Sequence, residues 1–173
     1  MKKSAAVIVM VLLTASFFPF TGMAQGKIGH LNSDELIRAM PETDSINKIL
    51  SDLENEYKRL AEQMEVQYNQ VYEAYTAQSE SMKPLEKKLK ESELIDIQKR
   101  RQAFVEESQT EYQKRHQELF NPVLQKAQKA IQEVGKENGF QYIIDSAQGI
   151  LLMLPDDESL NLLTKVKQKL GIR

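Results

Sequence analysis

Few side chains in this chain are placed to make or break covalent bonds. Its 173 residues include no cysteine and only two histidines. His30 lies in a short apolar stretch and His116 in a charged run, and neither has a serine, a cysteine or a spaced acid that would complete a nucleophile set. Asp156-Asp157-Glu158 offers carboxylates, but no further ligands follow at the spacing of a calcium loop, and helix capping accounts for them better. There is no glycine-rich phosphate loop. The residues therefore point away from an enzyme and imply neither a metal nor a cofactor.

What remains is the chemistry of recognition. Tyr68, Tyr72 and Tyr75 fall within VQYNQVYEAY at spacings of four and three, which stack them along one side of a helix. Each offers apolar area with a hydroxyl that tolerates water. Met82 adds a soft, adaptable surface nearby. Residues 83–101 carry seven basic side chains against four acids, Lys83, Lys87 and Lys90 among them. The flanks are acidic: residues 54–82 hold two bases and six acids, and residues 102–118 hold two and four. This zone reads either as an ordinary solvated helix surface or as a rim that attracts acidic partners, or weakly contacts a membrane surface.

Long helices must carry these groups. From Thr43 to about Gln78 there is no Gly or Pro, and the apolar residues keep heptad time. Leu50, Tyr57, Met64 and Val71 fall on one row, and Ile46, Leu53, Leu60, Gln67 and Ala74 on the other. Thr43-Asp44 supplies N-cap chemistry at the start. Residues 79–84 interrupt the pattern, with Pro84 suited to the first position of a new helix. A second polar segment runs from Leu85 to about Phe120 with a weaker seam, in which Leu94, Ile97, Phe104 and Tyr112 are separated by Arg101, Ser108 and Arg115. Two arms of similar length about a proline-bearing tip predict an antiparallel helical hairpin over 43–120, each arm about 55 Å long. Folding about residue 81 sets Leu50 near Tyr112, Tyr57 near Val105, Met64 near Ile97 and Gln98, and Tyr68 near Leu94. Continuing the heptads puts Tyr68, Tyr72 and Tyr75 off the seam. There they either line an inner wall or lie over the returning arm, Tyr72 or Tyr75 making cation–π contact with Lys90 or Lys87.

The remainder, 25–42 and 121–173, reads as the body from which the hairpin projects. KIGHLNS is a strand candidate, followed by a short helix that Ser33 could cap and Pro41 ends. After Asn121-Pro122 comes a separate amphipathic helix through Val123, Ala127, Ala130, Ile131 and Val134, stopped at Gly139. FQYIID alternates, and ILLML, from Ile150 through Leu152 to Leu154, is a continuous apolar strand. Asp156 or Asp157 then caps a helix bearing Leu160, Leu163, Val166 and Leu170. One subunit cannot bury ILLML on both faces, so the sheet, with Ile28, Ile144, Ile150, Leu152 and Leu154, is expected to be shared between subunits.

The first 24 residues read as a leader: Lys2 and Lys3, an apolar stretch from Ala5 to Phe20, then small residues at Gly22 and Ala24. Cleavage after Ala24 removes two lysines and no acid, so the net charge of −2 becomes −4. A mildly acidic chain gives no global attraction to nucleic acid. Export without cysteines leaves packing or association to hold the fold.

This order of elements resembles the Skp (OmpH-like) periplasmic chaperones. The likeness rests on KIGHLNSDELI, RRQAFVEESQTEYQKRHQEL, VLQKAQKAIQEVGKENGFQYIID and LNLLTKVKQKL. Lys27, Arg101-Gln102-Ala103-Phe104 and Asp145 meet the family pattern of a lysine-start strand, an Arg-Gln-x-Phe element and an acid-ended helix-to-strand passage. The resemblance implies a homotrimer with a small β-barrel-like body and three tentacle-like hairpins around a cavity. It further implies that unfolded outer-membrane proteins are held in that cavity without ATP. The family's strongly basic members differ from this acidic chain. The rival reading is an envelope structural or adaptor protein that docks a partner through its hairpin.

Overall fold

The computed structural model describes residues 26–147, 149 and 153–172; the leader and Ile150 and Leu152 of the apolar strand lie outside them. The chain is mainly α-helical, and two helices dominate it. Strand β1 (Lys27–Leu31) leads into helix α1 (Ser33–Ala39), then α2 (Pro41–Gln78) and α3 (Pro84–Glu137). Strand β2 (Phe140–Asp145), a single 3-10 turn (Glu158–Leu160) and helix α4 (Leu163–Lys169) complete it. At 1.5 Å per residue, α2 is about 57 Å long and α3 about 80 Å. They form the hairpin the sequence predicts, with the tip at 79–83 and Pro84 at the first turn of α3.

Several boundaries differ from the sequence expectation, each for a local reason. Met40 rather than Thr43 precedes α2, because Pro41 fits the first helical position, where no amide partner is needed. The Thr43 hydroxyl instead donates to the Ile37 carbonyl, tying α1 to α2. Asn32, not Ser33, caps α1 by accepting from the Glu35 amide. Asp157 caps only the 3-10 turn, while Asn161 accepts from the first amide of α4. The largest difference is at Pro122, which lies inside α3 and does not end it. A mid-helix proline costs about 3 kcal/mol in isolation. Here Leu119 and Phe120 before it and Val123 and Ala127 after it all pack into one core, which holds the helix through the break.

That core sits at the base of the hairpin. Leu31, Leu36, Met40, Ile46, Leu50, Val123, Ala127, Ala130, Val134, Leu162 and Val166 form one buried cluster from the four described helices and β1. β1 and β2 pair in parallel, with Ile28 opposite Tyr142 and His30 opposite Ile144. Parallel strands need a long crossover connection, and in this chain the whole hairpin is that crossover. Gly29 is required beneath it, because a Cβ there would collide with Leu162 and Phe140. Gly139, at a φ of 71°, ends α3 in the left-handed region.

Among the described residues the sheet has two strands and is open, so the barrel-like closure is not formed within the subunit. The predicted strand through Leu154 is also not formed where the chain is described: Met153 and Leu154 are irregular and exposed. The outer sheet face remains apolar and uncovered, with Tyr142 at 68% and Ile28 at 50% exposure and Ile144 also exposed.

Candidate functional site

The hairpin is built in two styles. Near the body, Ile46 and Leu50 are buried, and Leu53, Tyr57 and Leu60 are half-buried against the returning helix. Tyr57 meets Phe104 edge to face at 6.1 Å, and Tyr112 packs onto the body core. Farther out, Met64 is half-buried, and Leu94 and Ile97 form a small buried pair outside the main cluster. Polar links then cross between the arms: Glu65 pairs with Arg101, Gln98 donates to the Tyr68 hydroxyl at 3.0 Å, and Tyr75 donates to Glu91 at 2.7 Å. These partners show that the arms fold about Lys83, two residues beyond the centre inferred from the sequence. The shift sets Tyr68 against Gln98 instead of Leu94, while Tyr57 lies beside Ser108 with its ring edge to face with Phe104.

The tyrosines correct the heptad reading. Tyr68 and Tyr75 are half-buried and on the seam, while Gln67 and Ala74, the seam positions by strict heptads, are exposed. A straight helix drifts about 20° per heptad, so about 60° accumulates over the three heptads from Leu50 to Val71. The drift carries the contact row from Gln67 and Ala74 onto Tyr68, Val71 and Tyr75. Tyr72 is the one of the three that stays exposed, at 48%, with its ring stacked on Tyr68 at 6.0 Å. Cation–π contact with Lys87 or Lys90 is absent from the described residues: Lys90 pairs with Glu93, and Tyr75 takes Glu91 instead. That hydrogen bond, then partial burial and the charge of Glu91, hold the Tyr75 phenol above its ordinary pKa.

The tip combines apolar and basic surface. Met82 is half-buried in the turn, Lys83 and Lys87 are exposed, and Lys90 is half-buried. Leu85 and Leu89, which the sequence reading did not single out, are the more exposed apolar residues here, Leu85 at 70%. Their i, i+4 spacing off the seam was the available signal. Arg101 and Ser108, read as interruptions, behave differently from each other. Arg101 reaches Glu65 across the hairpin, whereas the Ser108 hydroxyl turns back to the Phe104 carbonyl of its own helix.

Comparison with known proteins gives one family and one fold. Residues 27–170 match the family model described as outer membrane protein (OmpH-like). A crystal structure from Caulobacter crescentus CB15, described as that of an OmpH-like outer membrane chaperone, aligns over 89% of both chains with a TM-score of 0.70 and 14% identity. A search among curated proteins finds no match. The matched span takes in both strands, the complete hairpin and α4, so the chain belongs to the OmpH-like family.

Proposed function

We propose that this protein is a periplasmic, ATP-independent holdase chaperone, which encloses unfolded outer-membrane proteins in the cavity of a homotrimer and prevents their aggregation. The observation that carries this reading is the hairpin, whose helices of 38 and 54 residues run far beyond a body with one small core. An arm that long with so little packed against it is built to reach around something. Membership of the OmpH-like family and the described nature of the Caulobacter crescentus protein support the same direction. The uncovered Ile28, Tyr142 and Ile144 on the sheet face, with the exposed Leu154, suit burial against further copies.

In this reading capture is a sum of weak contacts inside one enclosure, strong together yet exchangeable. Tyr72, Met82, Leu85 and Leu89 supply apolar area; Lys83, Lys87 and Lys90 supply charge for acidic client segments and a weak contact with a membrane surface. Tyr68 and Tyr75 act mainly by holding the arms together. No nucleic acid and no cofactor enters.

The test is to dilute a urea-unfolded outer-membrane β-barrel protein into the purified mature chain. The expected result is suppressed light scattering and co-elution of client with a trimer. Unchanged aggregation with no co-elution would refute the holdase reading, and binding of a folded envelope partner at the tip instead would favour the adaptor. Tyr72→Ser is expected to weaken client capture severalfold with the oligomer intact, because its ring is the exposed member of the three.

A further inference from the structure

Midway along the arm the helices stop filling the space between them. Ser108 stands on the seam between Phe104 and Tyr112, and its hydroxyl donates to the Phe104 carbonyl at 2.6 Å. So short a side chain leaves two clefts of about 270 Å³ each. Both include Tyr57 and Ser108; one adds Glu54, Gln109 and Tyr112, the other Phe104, Glu107 and Glu111. Gln109 is two residues from Glu107 and from Glu111, about 200° around the helix, so the clefts open on opposite sides.

The second cleft combines two kinds of surface. Its walls are the rings of Tyr57 and Phe104, set edge to face at 85°. Its rim is Glu107 and Glu111, one turn apart on the same helix face. Among the described residues neither carboxylate has a cationic partner within 4.0 Å, although Glu65 and Glu118 on the same arms do. Partial burial first, then the charges of Glu111 and Glu56, raise the Tyr57 phenol above its ordinary pKa, so the negative potential of the rim reaches the aromatic wall. Ring faces attract a cation and give its methylene stem apolar contact, while free carboxylates pair with its head.

We infer that the cleft bounded by Tyr57, Phe104, Glu107 and Glu111 binds a basic side chain, an arginine above all, projecting from an extended polypeptide held by the arm. A guanidinium is favoured over an ammonium because it is planar, stacks on rings and bonds carboxylates through two donors. Charge complementarity extends beyond the cleft: residues 102–118 hold four acids and two bases, whereas 83–101 hold seven bases and four acids. One arm thus presents an acidic aromatic site at mid-length and a basic rim at its end. The source of the polypeptide rests on the holdase reading; the preference for a cation does not.

The test titrates the purified mature chain with acetyl-Gly-Arg-Gly-amide and with its citrulline analogue, which keeps the shape and loses the charge, following ring resonances by NMR. The Tyr57 and Phe104 rings are expected to shift saturably with the arginine peptide, and about tenfold more weakly with citrulline. The double variant Glu107→Gln, Glu111→Gln should abolish that difference, and Glu62→Gln should preserve it. Equal binding of the two peptides by the unaltered chain, or shifts spread evenly along the arm, would overturn the site without recourse to any variant. Suppression of client aggregation is measured separately. A chain that suppresses it but does not distinguish the peptides loses the cleft and keeps the holdase reading, and the opposite pair of results does the reverse.

Discussion

The base and the outer half of the hairpin use the same two helices to opposite ends. At the base, Leu36, Met40, Leu162 and Val166 are fully buried and the seam between the arms is apolar. In the outer half only Leu94 and Ile97 are buried, and Tyr68, Tyr75, Gln98 and the Glu65–Arg101 ion pair link the arms. A buried leucine contributes roughly 1.5–3 kcal/mol, whereas an exposed ion pair contributes 0–1 kcal/mol. Both halves are helical hairpin, yet the base is fixed and the outer arm is held by links that water can replace. One continuous element can therefore serve as scaffold at one end and as adaptable surface at the other.

Substitutions at matched depths would break or sharpen that contrast. Leu36→Ala should have the largest effect, a loss of about 2–5 kcal/mol from a cavity in the base core, read as a lowered urea midpoint and a weakened oligomer. Ile97→Ala, at 1% exposure in the outer arm, should cost about 2 kcal/mol, and that loss should be local. Hydrogen exchange is expected to lose protection around residues 60–105 and keep it in the base; equal loss in both would show that the halves form one cooperative unit. His30→Leu should act in the other direction. Among the described residues the His30 Nε2 is buried without a hydrogen-bond partner, so an apolar replacement should stabilise the base by about 1 kcal/mol in urea unfolding.

The smallest effect should be a pH dependence at the junction of β2 and α1. Burial pushes the Asp145 carboxyl up, but hydrogen bonds from the Ser33 hydroxyl and the amides of Ala147 and Ser33 outweigh it and hold the pKa below the ordinary value. A lowered folded-state value stabilises the protein above about pH 4 and is lost as pH falls through it. Asp145→Asn should flatten stability against pH below about 4, and an unchanged acid limb would assign that limb to other carboxylates.

Much of this was legible in the residue pattern, and the misses have physical causes. The hairpin, its Pro84 restart and strand FQYIID follow from periodicity and breakers, which act locally. Pro122 misled because a local rule was overruled by packing on both sides of it, and packing is not a local property. Tyr68 and Tyr75 were placed off the seam because a heptad count treats the helix as supercoiled along its whole length, while this one is straight enough for the contact row to drift. The cleft at Ser108 is legible as a weak seam position, but folding the sequence over sets Tyr57 beside Val105, and only packing between the arms turns its ring to Phe104, one residue away.

Because the hairpin is the crossover between β1 and β2, its length is a free variable of the topology. The body requires only that Phe140 be returned beside Lys27, so that β2 runs parallel to β1, and any hairpin whose arms match can do so. Deleting eleven residues from each arm, about three helical turns, should leave the strand pairing and its register untouched, while deleting them from one arm alone should throw the mismatch onto the body. Reach can thus be lengthened or shortened across evolution by paired insertions, with the fold at the base unchanged.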